Sequence, residues 1–259
     1  FSFTEWGAFG GYTFSGLDNY RRLLDDPELL GALRNTFLYA GLVLLVVPLS
    51  ILVAALLNTR GLRGVGVYRT LYFLPVVTMP AAVAMLWRWI YNGDYGVLNY
   101  LLSLVGVDGP HWVSDPDWLL ASMAVVGIWM LVGYNTVIFV AGLQGLPVHY
   151  YEAAAIDGAG RVRQFFSVTL PLLSPSVFFV TVITTITTLQ MFDLIYLMTS
   201  RTASVARAEN QTIVYLFYKQ AFIENERGYA AAIAVVLLLI VLVLTALQFR
   251  MQKKWVHYE

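Results

Sequence analysis

Gly228-Tyr229-Ala230-Ala231-Ala232-Ile233-Ala234-Val235-Val236-Leu237-Leu238-Leu239-Ile240-Val241-Leu242-Val243-Leu244-Thr245-Ala246-Leu247-Gln248-Phe249 contains no formal charge. A helix crosses the hydrocarbon of a bilayer with roughly 20 mostly apolar residues. Backbone polar groups in lipid must be satisfied within their own segment, so this run reads as a transmembrane helix. Thr36 to Leu57 is equally free of charge and reads the same way. Three further stretches are long enough: Thr70 to Ile90 with Pro75, Pro80 and Arg88, Trp118 to Gln144, and Leu172 to Met198 with Gln190 and Asp193 inside.

Composition agrees with lipid as the main solvent. Of 259 residues, 59% are hydrophobic and only 12% charged, about half the charged share of a soluble domain. There is no cysteine, which excludes disulfides, thiolate zinc sites and a cysteine nucleophile. The reading is one all-α polytopic domain over residues 1–259, with spans at about 36–57, 70–90, 118–144, 172–198 and 228–249.

The basic residues of the short loops orient these spans. The loop Asn58–Arg69 carries Arg60, Arg63 and Arg69 and no acid; Gly145–Pro171 carries Arg161 and Arg163; the tail carries Arg250, Lys253 and Lys254. Asn92–Asp117 has Asp94, Asp108, Asp115 and Asp117 and neither Lys nor Arg. The first three segments are therefore expected in the cytoplasm and the last outside. Trp87, Trp89, Tyr91 and Trp118 suit an outer interfacial belt. Parity then places Phe1 outside, and with no initial methionine a sixth helix is expected upstream.

The cytoplasmic stretch 145–171 reads as a small helix–turn–helix. Pro147 suits a first helical position, Tyr150 to Ile156 a helix, Asp157-Gly158 a stop, and Arg161 to Val168 a second short helix before Pro171. Ala153, Ala154 and Ala159 keep its surface thin enough for close approach of a partner.

The chain here resembles the binding-protein-dependent permeases of bacterial ABC importers, in the branch that takes up maltose-type sugars and glycerol phosphates. The resemblance rests on Glu152-Ala153-Ala154, Asp157-Gly158-Ala159, Phe165, Val168 and Leu170-Pro171. It extends to Gly16-Leu17-Asp18-Asn19-Tyr20, to Arg69 through Pro75, to Trp87-Arg88-Trp89 and to Phe192 through Tyr196. It departs at Val162, where an aromatic is usual, and after Thr199, where Ser200-Arg201-Thr202-Ala203-Ser204 replaces Gly-Gly-Pro. The resemblance implies that 145–171 is a coupling helix docked on a cytoplasmic ATPase, with Glu152, Ala153, Ala154, Asp157, Gly158 and Ala159 at the contact. It implies a second permease, two ATPase subunits, an extracytoplasmic binding protein and a multi-pass place in the bacterial inner membrane with the C-terminus inside. It leaves the contacts of the 199–227 loop open.

No Gly-x-x-x-x-Gly-Lys-Ser/Thr occurs in the chain, so nucleotide phosphates are cradled elsewhere. ATP and magnesium belong to the partner subunits, and the chain itself is expected to be non-catalytic and without cofactor. Polar residues within spans are costly and mark candidate paths. Trp129, Tyr134 and Asn135 on the span 118–144 suit a sugar, as do Gln190 and Asp193, expected on one face of the span 172–198. An interhelical or partner-bonding role stays open for each, and Asp193 could pair with Arg88. Arg88 is the only basic residue within a span, which favours a neutral sugar or oligosaccharide over a glycerol phosphate ester. An ion-coupled transporter using Asp193 as coupling acid remains the rival, though it leaves the helix–turn–helix unexplained. His111, His149 and His257 show no metal-ligand spacing, no nucleic-acid partner is indicated, and no metal site is expected.

Overall fold

The computed structural model describes residues 1–6, 11–59, 64–199 and 204–256. Arg60, Arg63, Ser200, Arg201, Thr202, Ala203 and His257 lie outside the described residues, as do the side chains of Arg69, Ser204 and Arg207. Among the described residues the architecture is helical, with one short antiparallel pair of strands, β1 (Thr4–Trp6) and β2 (Tyr12–Phe14), in the register Thr4 opposite Phe14. The helices follow as α1 (Asp18–Asp25), α2 (Pro27–Val43), α3 (Val46–Leu57), α4 (Val65–Val77), α5 (Pro80–Ile90), α6 (Val97–Ser103) and α7 (Pro116–Gln144). Next come α8 (Val148–Ile156), α9 (Arg161–Gln164), a π-helical turn Phe165–Thr169, α10 (Leu170–Leu172), α11 (Ser174–Leu189) and α12 (Asp193–Thr199). Last are α13 (Ser204–Glu209), α14 (Ile213–Tyr218), a second π-helical turn Lys219–Ile223, and α15 (Arg227–Trp255).

Among the described residues, Pro27–Leu57, Pro116–Gln144 and Arg227–Lys254 are long and apolar enough to cross a membrane. Two interrupted pairs, Gly66–Val77 with Pro80–Ile90 and Arg161–Leu172 with Ser174–Leu189, bring the candidates to as many as five. Large apolar side chains of α15, including Leu238, Leu242 and Val243, are more than half exposed. Such a contiguous apolar surface fits lipid as its neighbour.

Three predicted spans are not single helices. The expected span 70–90 ends at Val77 and restarts at Pro80, because Thr78 and Met79 are extended (ψ 139° and 133°). The residue before a proline is pushed out of the helical region, and Pro80 then fits the first helical turn. The expected span 172–198 stops at Leu189 and restarts at Asp193. The run Thr184-Thr185-Ile186-Thr187-Thr188 weakens helix there through β-branching, and Thr185 Oγ1 donates back to the Thr181 carbonyl at 2.7 Å. Asp193 sits in the first turn of the new helix, where a negative charge meets the helix dipole favourably. The first span is also interrupted between Val43 and Val46. Pro48 has no N–H to give Leu44 four residues earlier.

The chain forms two compact units, the first being 1–43, 79–127 and 187–244, the second 44–78, 128–186 and 245–259. In the first, Leu23, Leu29, Ala32, Ile213, Leu216, Tyr229 and Ile233 make a core. Its buried polar groups are answered locally: Asn35 Nδ2 donates to the carbonyls of Glu209 and Gln211, and the Ile213 N–H donates to Thr36 Oγ1 at 2.9 Å. The strand pair seats on this unit through Asn19, which donates to the carbonyls of Ser2 and Thr4. Gly228 is required beside it, since a Cβ there would stand 1.9 Å from the Thr4 carbonyl oxygen. In the second unit, Val46, Val47, Ile51, Ala54, Phe139, Val140, Leu143, Leu173 and Val180 make the core. α7 and α11 meet closely there, because Gly142 leaves room for Ser176 and Leu173.

Candidate functional site

The segment 145–171 folds as the helix–turn–helix that its sequence predicts, with one correction. Pro147 is the extended residue ahead of α8 (φ −66°, ψ 132°), not its first helical residue. α8 ends by a local rule: Asp157 caps it, Gly158 takes the left-handed conformation (φ 76°), and two backbone bonds close the end. The Ala159 N–H donates to the Ala154 carbonyl at 2.9 Å and the Gly158 N–H to the Ala155 carbonyl at 3.0 Å. That pair of bonds is the Schellman arrangement, which satisfies carbonyls the helix end leaves open.

The turn is tied to the helical segment after it. Gln164 Nε2 donates to the Ala159 carbonyl at 2.9 Å. Tyr151 and Thr169 share a hydroxyl–hydroxyl bond of 3.0 Å that joins α8 to the π-helical turn. Phe165 and Leu170 pack onto the core of the same unit. The elbow is therefore braced on its inner side.

Its outer side is bare. Val148, Glu152 and Ile156 are spaced by four, so they share one face of α8, and all three are exposed, Ile156 at 87%. Val162 and Phe166 beyond the turn are exposed as well, at 74% and 62%. Ala153, Asp157 and Gly158 are also exposed, while Ala154 and Ala159 are half-buried. Sequence reasoning found the charge and the glycine but missed Val148, Ile156 and Phe166. Their signal was available in the spacing of four, yet only the fold shows that they stay exposed among the described residues.

The path candidates fall in separate units. In the second unit Trp129 is half-buried, Tyr134 is exposed, and Asn135 is buried with Nδ2 donating to Thr184 Oγ1 at 3.3 Å. In the first unit Gln190 and Asp193 are exposed. Gln190 comes after the end of α11 and Asp193 opens α12, so they do not share a face of one helix as expected. Asp193 makes no ion pair with Arg88 among the described residues, and Arg88 Nη1 instead donates to the Leu197 carbonyl at 3.4 Å.

Beside Asp193 lies an aromatic group that sequence reasoning did not assemble. Phe192 stacks on Tyr196 with centroids 5.2 Å apart, and Tyr218 meets both rings at about 5 Å. Tyr218 donates to the Tyr196 hydroxyl at 3.5 Å, and this bond is the main cause raising the Tyr218 pKa above its ordinary value. Faces and phenol hydroxyls together suit a polyhydroxylated ligand with C–H faces. Among the described residues no group of three or more His, Cys, Asp or Glu could hold a metal.

Residues 46–257 match the family described as binding-protein-dependent transport system inner membrane component. The chain is 35% identical over 254 residues to the sn-glycerol-3-phosphate transport system permease protein UgpA of Agrobacterium fabrum (strain C58), covering 97% of this chain and 85% of that one. It is 35% identical over 239 residues to the lactose transport system permease protein LacF of Rhizobium radiobacter, covering 91% and 80%. Its fold matches a chain of a bacterial ABC transporter involved in the import of the acidic polysaccharide alginate, with a TM-score of 0.84 at 24% identity over 92% of this chain and 84% of that one.

Proposed function

The chain belongs to the family of binding-protein-dependent transport system inner membrane components, and from that premise we propose that it is the permease subunit of an ATP-driven importer of a sugar or oligosaccharide. Residues 1–259 act as one transmembrane domain beside a second permease, and an extracytoplasmic binding protein delivers the substrate. Two cytoplasmic ATPase subunits bind ATP and magnesium. The observation that carries this reading is the bare face of α8: Val148, Glu152 and Ile156 project from an elbow whose inner side is braced. Exposed apolar residues flanking a carboxylate on a rigid mount fit a partner cleft with a basic group in it.

The elbow gives the mechanism. Nucleotide-driven closure of the ATPase pair moves α8, and the bonds from Tyr151 and Gln164 carry that motion into the π-helical turn and α11. The bundle then alternates between access from the two membrane faces. In this orientation the elbow and the C-terminus lie in the cytoplasm and the 92–117 and 199–227 loops outside. Tyr134, Gln190 and Asp193, all exposed, and half-buried Trp129 carry the path. Asn135, turned onto Thr184, holds α7 to α11.

A sugar is favoured over a phosphate ester because Arg88 is the only basic residue within the spans 36–57, 70–90, 118–144, 172–198 and 228–249 and its guanidinium is turned onto a backbone carbonyl. The name of LacF agrees with the sugar reading. The test is uptake into vesicles bearing the complete transporter, with ATP supplied and ion gradients collapsed. ATP-dependent uptake of the sugar retained by the binding protein is expected. Uptake that follows an ion gradient without ATP would reassign the chain as a secondary transporter, and retention of a glycerol phosphate ester would change the substrate class.

A further inference from the structure

Between α5 and α7, residues 92–117 fold around one amide. Asn99 of α6 donates from Nδ2 to the carbonyls of Gly93 at 2.9 Å and Gly109 at 3.2 Å, and its Oδ1 accepts from Trp112 Nε1 at 2.6 Å. Trp112 in turn stacks on Tyr91 with centroids 5.9 Å apart and meets Trp118 edge-on at 5.2 Å. Tyr91 caps α5 and is 3% exposed, so it belongs to this brace and not to the expected interfacial belt. The loop is thus tied down to the ends of α5 and α7.

α6 is two-faced. Leu98, Asn99 and Leu102 are half-buried. Leu101, Leu104 and Val105, spaced by three and four and so on one side of the helix and the turn that extends it, are exposed, the last two at 67% and 74%. The acids of the loop lie apart from them. Asp94 and Asp108 line an open cavity of about 450 Å³ with Ser103, and Leu101, Leu104 and Val105 take no part in its wall.

Depth and continuity say what covers this apolar side. α6 packs against α5, on which Met85, Leu86 and Trp89 are exposed up to the last turn. Trp89 and Trp118 are exposed where these two helices meet the loop, and tryptophan at the end of a span marks the boundary between hydrocarbon and headgroups. Because Trp112 ties the loop to Trp118, residues 101–105 are held near that boundary. An apolar helix face at such a depth lies in the lipid interface. Residues 92–117 contain neither Lys nor Arg, so the attraction is apolar and does not depend on anionic headgroups.

We propose that Leu101, Leu104 and Val105 form a lipid anchor, seated among the headgroup-proximal acyl carbons of the bilayer. The contact rests on the membrane-spanning fold; only its assignment to the outer leaflet rests on the importer reading. The anchor steadies the end of α5, which packs on α12 and whose Arg88 donates to the Leu197 carbonyl there. Lipid thereby restrains the helix pair beside the proposed path.

The chain has no cysteine, so a single fluorophore is placed on the complete transporter, with cysteine-free partner subunits. The nanodisc lipids carry bromine, a contact-range quencher, on the acyl carbons nearest the headgroup. Probes on Leu104→Cys and Val105→Cys are expected to lose intensity relative to unbrominated lipid, equally in zwitterionic and anionic nanodiscs. Probes on Asp94→Cys and Asp108→Cys are expected to keep theirs. Leu101→Asp, added to Val105→Cys, is expected to raise the detached population by at least about tenfold, read as weaker quenching and red-shifted emission. Absence of quenching at 104 and 105, or equal quenching at all four positions, overturns the anchor. So does shielding of 104 and 105 by the loaded binding protein without any quenching by lipid, which would make this face a protein-docking surface. Orientation is read separately: labelling of Asp108→Cys by an impermeant maleimide only from inside sinks the importer orientation and leaves the lipid contact standing.

Discussion

Asn135 Nδ2 donates to Thr184 Oγ1 at 3.3 Å, and each side chain is 1% exposed. A buried amide on α7 is thus answered by a hydroxyl on α11. Polar pairs between membrane helices couple by about 0.6 kcal/mol on average. A double-mutant cycle of Asn135→Ala and Thr184→Val, read by thermal unfolding in detergent, should return a coupling of about that size. The sugar concentration for half-maximal transport should stay as in the parent. Additive effects together with an altered sugar dependence would move Asn135 into the path instead.

Gly158 is left-handed at φ 76°, and a Cβ built on it meets nothing within 4 Å. The only cost of a side chain there is conformational, about 1–2 kcal/mol for an ordinary residue. Asn tolerates that region better than Ala. Gly158→Ala should therefore lower the fraction of ATPase that co-purifies with the permease, and Gly158→Asn should restore much of it. Equal retention in both variants would show that the turn geometry does not matter to docking.

Gly133 and Gly41 look alike in sequence, each a lone glycine in an apolar run. At Gly133 a Cβ would stand 2.1 Å from the Tyr72 carbonyl oxygen, whereas at Gly41 it meets nothing within 4 Å. Gly133→Ala must push α7 off α4 and should cost about 1–3 kcal/mol. Gly41→Ala should gain about 0.5–1 kcal/mol, because glycine weakens a helix interior. Unfolding midpoints of the two variants, moving in opposite directions, are the check.

Lys219 shows how charge holds α2 to the segment ahead of α15. Partial burial acts first, to lower its pKa, but its bonds to Glu28 and Glu224 outweigh this and leave the pKa raised above the ordinary 10.5. A raised folded-state value means the contribution is complete below the unfolded value and is lost as pH rises through the folded one. Cleavage of the 209–227 segment by added protease should therefore be insensitive to pH from 6 to about 9 and rise only in stronger alkali. Lys219→Met should abolish that alkaline step.

Helices were legible because lipid leaves the backbone no alternative: Gly228 to Phe249 could only be helical, and α15 confirms it over Arg227–Trp255. The turn at Gly158 was legible too, since a single residue type supplies its geometry. The breaks at Thr78–Met79 and at Gln190–Phe192 were not read, although Pro80 and the threonine run were both in view. Hydropathy averages over such interruptions, and a span of the right length hides a helix that stops and restarts inside it. The rings of Phe192, Tyr196 and Tyr218 were missed for a different reason. They come from the residue ahead of α12, from α12 and from α14, and only the packing of the first unit brings them to about 5 Å.

Ile156 is a side chain with no reason to be exposed unless something else covers it. It stands four residues after Glu152 on the same face of α8, at 87% exposure, on an elbow fixed from behind by Tyr151 and Gln164. A partner cleft that takes Glu152 must then take Ile156 as well, and burying such a side chain is worth about 1.5–3 kcal/mol. Ile156→Asp should raise the ATPase concentration needed for half-assembly by at least about tenfold, and Glu152→Lys should do likewise through charge. Neither should shift the unfolding midpoint of the permease alone, because neither side chain touches its core. Ile156→Leu keeps the apolar volume and should assemble as the parent does. If Ile156→Asp assembled normally while Glu152→Lys did not, the contact would be a charge pair at the edge of the elbow, and the docking face would have to be redrawn around Arg161 and Arg163.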